Sequence, residues 1–190
     1  MARAIYYTAM SLDGYLADEG GSLDWLDGWD NDADGPLGWN TFDTSVGALI
    51  MGRTTFDWLL DGPLSDLEEA WPHRQPGWVM TSRPVPRVPT GAQLEFTDAA
   101  VSDVMDRARA AAGDGDVWVA GGGVAATAFA RAGLVDELWL SVAPVVLGGG
   151  APVLTAPVGL KLAEAARNGD FAALRYLVQP STVREPPGAL

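Results

Sequence analysis

Short apolar runs bounded by glycine, proline or acidic residues recur along the chain, at residues 4–10, 48–51, 78–80, 117–119 and 137–146. The first carries Ile5, Tyr6, Tyr7 and Thr8, β-branched or aromatic side chains that suit a pleated surface. Runs of this length predict buried strands. Between them, apolar positions recur at helical spacing: Phe56, Leu59 and Leu60 after Arg53; Val101, Val104, Met105 and Ala108 after an N-cap at Asp98; Val124, Ala128, Phe129 and Ala132 closed by Gly133. Alternating strands and helices predict an α/β fold whose sheet is covered on both faces. Asn168-Gly169 has the dipeptide of a type I′ hairpin, with residues 171–178 as its second strand, so an antiparallel edge finishes a mostly parallel sheet.

The chain has 190 residues, about one domain's worth, and at 48% hydrophobic it can bury a sizeable core. No repeat or linker-like break divides it. The expected organisation is one domain over residues 1–180, followed by a flexible tail, 181–190, that contains Pro186-Pro187-Gly188. A net charge of -13 repels phosphate backbones, which excludes nucleic acid and anionic membranes as partners. With no cysteine there are no disulfides, thiolate metal sites or thiol nucleophiles, and a reducing compartment suits the protein. His73 is the only histidine, in what reads as an irregular polar turn, so a multi-histidine metal site is excluded within one chain. Lys161 is the only lysine and follows no phosphate-loop motif. The weakly polar stretch 138–154 is broken by Pro144, Pro152 and three glycines, short of the about 20 apolar residues that span a bilayer. No secretion signal is visible either, so the expected location is the cytoplasm.

Asp30-Asn31-Asp32-Ala33-Asp34-Gly35 matches the start of a calcium loop, but Thr41 stands where a bidentate glutamate is needed. A solvated acidic loop is the expectation, with no metal. Eight acidic residues lie between Asp13 and Asp34, and no basic residue lies between Arg3 and Arg53. Trp25, Trp29 and Trp39 interleave here; flat apolar rings beside carboxylates suit a ring-shaped ligand, with core packing as the alternative for each. Ile50-Met51-Gly52-Arg53-Thr54-Thr55 reads as a strand turning through glycine into a helix start, where N–H groups, hydroxyls and a guanidinium favour a phosphate. An ordinary strand–helix turn is the alternative. Thr81-Ser82-Arg83 ends another strand in the same way, and Gly121-Gly122-Gly123-Val124 joins a strand to a helix through backbone that can approach a pyrophosphate closely.

Together, residues 10–17 (M-S-L-D-G-Y-L-A), Met51-Gly52-Arg53-Thr54-Thr55-Phe56, Thr81-Ser82-Arg83, the three glycines at 121–123 and Pro144 with the three glycines at 148–150 resemble the dihydrofolate-reductase-like superfamily. The closer likeness is to the C-terminal reductase domain of bacterial riboflavin-biosynthesis enzymes, over residues 3–178. The resemblance implies a three-layer fold: a mixed, mostly parallel central sheet with flanking helices. It implies NADPH as cofactor, Arg53 at the 2′-phosphate with Ser82 and Arg83, and Thr54 and Thr55 at the pyrophosphate above Gly121, Gly122 and Gly123. Gly52, Thr81 and Val124 belong to the same turns. Ala9, Asp13 and Leu16 are similar to residues lining the nicotinamide, and Trp25 to one at the mouth of the substrate cleft.

Folate reductases keep a carboxylate about 16 residues before the glycine of M-G-R, where this chain has Pro36, so dihydrofolate reduction itself is not expected. The expectation is a reductase that moves hydride from NADPH to a small heterocyclic or carbonyl substrate, with Asp13 and Asp34 as candidate proton-handling residues. A ligand-binding domain of the same fold without turnover is the alternative. The riboflavin-pathway reductase of a phosphoribosylaminouracil ranks below it, because no basic residue falls between Arg3 and Arg53 to meet that substrate's phosphate. The resemblance also implies a homodimer, with Trp139 as a candidate contact.

Overall fold

The computed structural model describes residues 2–65 and 71–180; the tail proposed at 181–190 lies outside them. Among the described residues the elements run β1 (Ala4–Met10), β2 (Tyr15–Ala17), α1 (Trp39–Asp43), β3 (Val46–Gly52), α2 (Arg53–Asp61), β4 (Gly77–Met80) and β5 (Leu94–Thr97). There follow α3 (Val101–Ala112), β6 (Asp116–Gly121), α4 (Gly123–Arg131), β7 (Glu137–Val142), β8 (Ala151–Pro152), β9 (Leu160–Asn168) and β10 (Phe171–Val178). Eight strands form one sheet in the order β5-β4-β3-β6-β1-β7-β10-β9, and β2 pairs with β8 outside it. Neighbours from β5 to β7 are parallel; β10 is antiparallel to both β7 and β9. The fold is dihydrofolate-reductase-like, as the motifs imply.

Side chains on a strand alternate between faces, and the alternation sorts the core into layers. Ala48 and Ile50 of β3 join Tyr6, Val119 and Leu138 in one cluster with Val104 and Met105 of α3 and Phe129 of α4. Leu49 and Met51 face the other way, onto Phe56 of α2, Trp71 and Val79. Farther along that face Phe42 of α1 packs with Ile5, Val46, Tyr7 and Trp118. Strands covered on both sides must be apolar throughout, which is why the central ones read as continuous runs.

Several expectations need correction. The strand predicted at 137–146 ends at Val142, because Pro144 has no N–H to offer the ladder. Helix α3 is capped at Ala100, without a side-chain cap bond, so Asp98 is not its N-cap. The predicted hairpin is present, but Asn168 pairs with Phe171, and the central residues are therefore Gly169 and Asp170. Gly169 alone is left-handed, with φ +59°, the pattern of a type II′ turn rather than I′. His73 is half-buried, its ring centroid 5.4 Å from that of Trp71 and 5.3 Å from that of Trp118, so it packs rather than decorating a polar turn. Burial lowers its pKa, and the charge of Asp43 opposes that shift. Trp39 stacks edge-on to Trp118 at 5.1 Å, in keeping with core packing. Trp139 donates its indole N–H to Glu137 Oε2 at 2.7 Å and leans on Phe42 and Tyr7, so its ring is engaged within its own chain.

One close approach fixes the start of α4. A Cβ on Gly123 would lie 2.1 Å from the carbonyl oxygen of Pro152 and 3.0 Å from that of Val153. Replacing Gly123 with alanine is therefore expected to destabilise the protein by about 1–3 kcal/mol, the usual cost of overpacking. Urea unfolding checks this, and a midpoint equal to that of the parent would show that the segment carrying Pro152 yields.

Candidate functional site

In the parallel block, β3 lies between β4 and β6, so the carboxyl ends of all three face one way. Gly52 pairs with Met80 and Met51 with Gly121, which brings the three turns that follow into a row. Gly52 is the N-cap of α2 and Gly122 that of α4; neither helix start has a side-chain cap bond. The first-turn N–H groups of two helices that begin at adjacent strand ends, on opposite faces of the sheet, are thus available to an anion. A Cβ on Gly52 would meet Gly122 N at 3.6 Å and Gly121 O at 3.7 Å, so the two turns touch. One placed on Gly121 or Gly122 would meet only Thr55 Oγ1, at 3.6 and 3.5 Å, leaving a backbone cradle open above them. The Gly121–Gly122 peptide is cis. Thr54 is exposed, Thr55 half-buried, and Val124 is 73% exposed on the rim. The Cα of Gly123 faces Pro152 instead, so a side chain has no room there, while its N–H is the first of α4.

At the outer end of this ledge stand two arginines joined by a carboxylate that the sequence reading did not single out. Arg53 donates from Nε to Asp57 Oδ1 at 2.6 Å and from Nη1 to the carbonyl of Pro84 at 2.8 Å. Arg83 donates from Nη2 to Asp57 Oδ2 at 2.8 Å. Partial burial pushes the Asp57 carboxyl up, but the Arg53 hydrogen bond and the charges of both arginines outweigh it and hold it below its ordinary value. Thr81 Oγ1 accepts from Arg83 N at 3.0 Å, shaping the turn, and Ser82 is exposed beside it.

The other end of the cleft lies where β1 passes into β2. Ala9 and Leu16 are half-buried there, and Ala9 pairs with Ser141 of β7. Asp13 Oδ1 accepts from Ser11 Oγ at 2.7 Å and from Leu147 N at 3.1 Å, and Oδ2 from Gly148 N at 2.7 Å. The Ser11 hydroxyl first, then the Gly148 and Leu147 amides, hold its carboxyl down at about 2. Asp13 therefore clasps two loops and stays ionised.

Asp34 lies on the exposed acidic loop, where Oδ1 accepts from Asn40 Nδ2 at 2.8 Å. Asp32, Asp34 and Asp30 spend their polar atoms on turns: Asp34 N donates to Asp32 Oδ1, and the Asp30 carbonyl accepts from Asp170 N. Asn168 anchors this loop, donating from Nδ2 to the carbonyl of Asp32 and accepting from Asp32 N. Trp29 donates its indole N–H to the carbonyl of Trp25 at 2.8 Å. Trp29, Pro144, Ala166, Arg167, Asp170 and Phe171, with Ala172, line a cavity of about 470 Å³. Met10 pairs with Val142, which pairs with Ala172, so two strand spacings, about 10 Å, separate β1 from this wall. Arg167 lies one strand farther out, on β9, where its Nε donates to the carbonyl of Gly169 at 2.7 Å. No spacing signal marks it, because the β9–β10 hairpin brings it there. Among the described residues, no group of three or more His, Asp or Glu side chains is placed to hold a metal ion, and no helix is long and apolar enough to cross a membrane.

The comparisons with known proteins agree with this geometry. The uncharacterized protein YwjB of Bacillus subtilis (strain 168) is 29% identical over 184 residues, 92% of this chain and 97% of its own. A crystal structure named "Putative riboflavin biosynthesis protein" from Shewanella sp. PV-4 superposes with a TM-score of 0.76 at 28% identity, covering 94% of this chain and 99% of that one. Dihydrofolate reductase from Enterococcus faecalis, solved with NADP(H), shares the fold at a TM-score of 0.54 and 18% identity, over 94% of this chain and 96% of its own. The family model of the RibD C-terminal domain matches residues 3–170, and the chain belongs to that family of reductase-like folds.

Proposed function

We propose that the protein is an NADPH-dependent reductase acting on a small heterocyclic or carbonyl substrate, pterin- or pyrimidine-like. The observation that carries this reading is the row of anion-binding elements along three neighbouring strand ends: two helix starts without side-chain caps, a glycine cradle under Thr55, and the pair Arg53 and Arg83. These residues fit the group. A diphosphate needs N–H donors with no Cβ in the way, and a phosphomonoester needs guanidinium donors at a fixed distance beyond it. Thr54, Thr55, Gly121 and Gly122 would hold the diphosphate; Arg53, Ser82 and Arg83 would hold the 2′-phosphate; Ala9 and Leu16 would flank the nicotinamide. NADPH, when bound, supplies the hydride from nicotinamide C4. The chain's own work is to bind, orient and exclude water.

The open groove beside Trp29 would offer a substrate a flat ring and the donors that Arg167 keeps beyond its bond to the Gly169 carbonyl. Reduction of a phosphoribosylaminouracil, the riboflavin-pathway step, stands as the second reading, supported by the match to the RibD C-terminal domain. The donors that hold the Asp13 carboxyl low favour Asp34 over Asp13 for proton donation.

Titrating NADPH and NADH while following tryptophan fluorescence tests the nucleotide reading. Arg53→Met is expected to weaken NADPH by about 10–100-fold, the worth of charge-assisted hydrogen bonds, and to leave NADH unchanged. Failure of the parent protein to bind either nucleotide would end the proposal. NADPH oxidation with a panel of pterins, pyrimidine ribosides and quinones then separates a reductase from a silent binder. For Asp13 the folded pKa of about 2 lies below the ordinary 3.8, so its contribution to stability is present above 3.8 and disappears as the pH falls towards 2. The Asp13→Asn variant should accordingly melt below the parent at pH 7, and the gap should close by pH 2. Its pH–rate profile between 5 and 8 should keep the parent's shape, whereas loss of an acidic or basic limb would return Asp13 to proton transfer.

A further inference from the structure

On the reading that the outer ledge takes a phosphomonoester, we infer that Asp57 is the positioning residue that sets the preference for a 2′-phosphorylated nucleotide, by holding Arg53 and Arg83 as one fixed pair. Asp57 sits one turn after Arg53 on α2, and each of its oxygens accepts from a different guanidinium, at 2.6 and 2.8 Å. Arg53 is tied twice, since Nη1 also meets the Pro84 carbonyl at 2.8 Å. Arg83 is more than half exposed, and among the described residues Asp57 is the only group its side chain meets. Without that carboxylate a long, exposed arginine on a loop samples many rotamers, and the loop's own hydrogen bond, from Arg83 N to Thr81 Oγ1, fixes backbone only.

Donor counting supports a holder over a plug. A guanidinium has five N–H donors. Arg53 uses two of them here and Arg83 one, so both keep donors for an incoming phosphate while their forks stay aimed. The three groups together carry a charge of +1, a local exception in a strongly acidic chain.

Two physical pictures of Asp57 predict opposite signs. If the carboxylate only competes with phosphate for the arginines, its removal raises the local charge and tightens NADPH. If it positions them, its removal loosens NADPH although the charge becomes more favourable. The effect is confined to the terminal phosphate, so NADH, gripped by the glycine cradle alone, should not respond.

The experiment compares the parent, Asp57→Asn, Asp57→Glu and Arg83→Met by NADPH and NADH titration, with melting curves as a check on folding. Asp57→Asn keeps the shape but loses the negative charge and exchanges one of the two acceptor oxygens for an NH2 donor, and is expected to raise the NADPH Kd by about 10-fold with NADH within about 2-fold. Asp57→Glu, with both oxygens restored, is expected to regain most of that loss. Arg83→Met should cost NADPH a similar factor, and should cost little more when added to Asp57→Asn, because one arrangement is being broken twice. Unchanged or tighter NADPH binding by Asp57→Asn overturns the inference, as does an equal loss for both nucleotides, which marks a merely structural role. A parent protein that binds NADPH no better than NADH overturns the phosphomonoester reading itself, whereas a parent that discriminates beside an unaffected Asp57→Asn overturns Asp57 alone.

Discussion

The parallel pairing of β3 with β6 is the constraint on which the site depends. Parallel strands put all their carboxyl ends on one side, but they do not by themselves bring two helix starts level. The register does. Ile50 pairs with Val119 and Met51 with Gly121, so Ala120 is the extra residue that advances β6 by one step at its end. Gly121 and Gly122 arrive beside Gly52 as a result, and the free N–H groups of α2 and α4 share one ledge. Slippage is resisted from both faces, because a one-residue shift would exchange Ala48 and Ile50 with Leu49 and Met51 between differently shaped layers of the core.

On the proposed reading that ledge would attract anions in a protein of charge -13. At physiological salt the Debye length is about 8 Å, so distant carboxylates are largely screened and the local arrangement decides. Two guanidinium groups, two helix dipoles and bare backbone converge at the strand ends, while the acidic loop is pinned to the β9–β10 turn by Asn168. At the opposite ends of the strands, Arg3 pairs with Asp116 and Glu137, which also meets Arg175. Those arginines are committed to carboxylates that hold the sheet, and they leave the carboxyl ends of the parallel strands to Arg53 and Arg83.

How much of this was legible depended on whether a residue's partner lay nearby in sequence. The central strands were legible because burial on both faces makes them apolar throughout. Strand β9 was not: Leu160–Asn168 is built from leucine, lysine, alanine, glutamate and arginine, good helix formers, and only pairing with β10 makes it extended. The motif M-G-R-T-T read as a candidate anion site, and Asp57, four residues after Arg53, was within reach of helical spacing. Its second partner was not, since Arg83 arrives from another strand. Asp13 likewise read as a reactive carboxylate because its amide donors, Leu147 and Gly148, lie far along the chain. A carboxylate met without its donors reads only as an acid waiting for a substrate; with them it is also a clasp.

The segment that supplies those donors also sets the distance between the two ends of the cleft. Leu147 and Gly148 hold Asp13, Val153 N donates to the Gly14 carbonyl, and β8 pairs with β2, so the segment grips the turn after β1. A few residues on, the Pro152 carbonyl lies against Gly123, the Tyr6 hydroxyl donates to Val153 O, and Thr155 N donates to Thr127 Oγ1 on α4. One strap therefore holds the start of α4, where the diphosphate would rest, and the end of β1, where the nicotinamide would lie. Hydride transfer tolerates little error in distance, and a shared strap makes errors at the two ends move together rather than add. This accounts for a packed glycine at 123: a side chain there would push the strap from α4 and shift Asp13 with it.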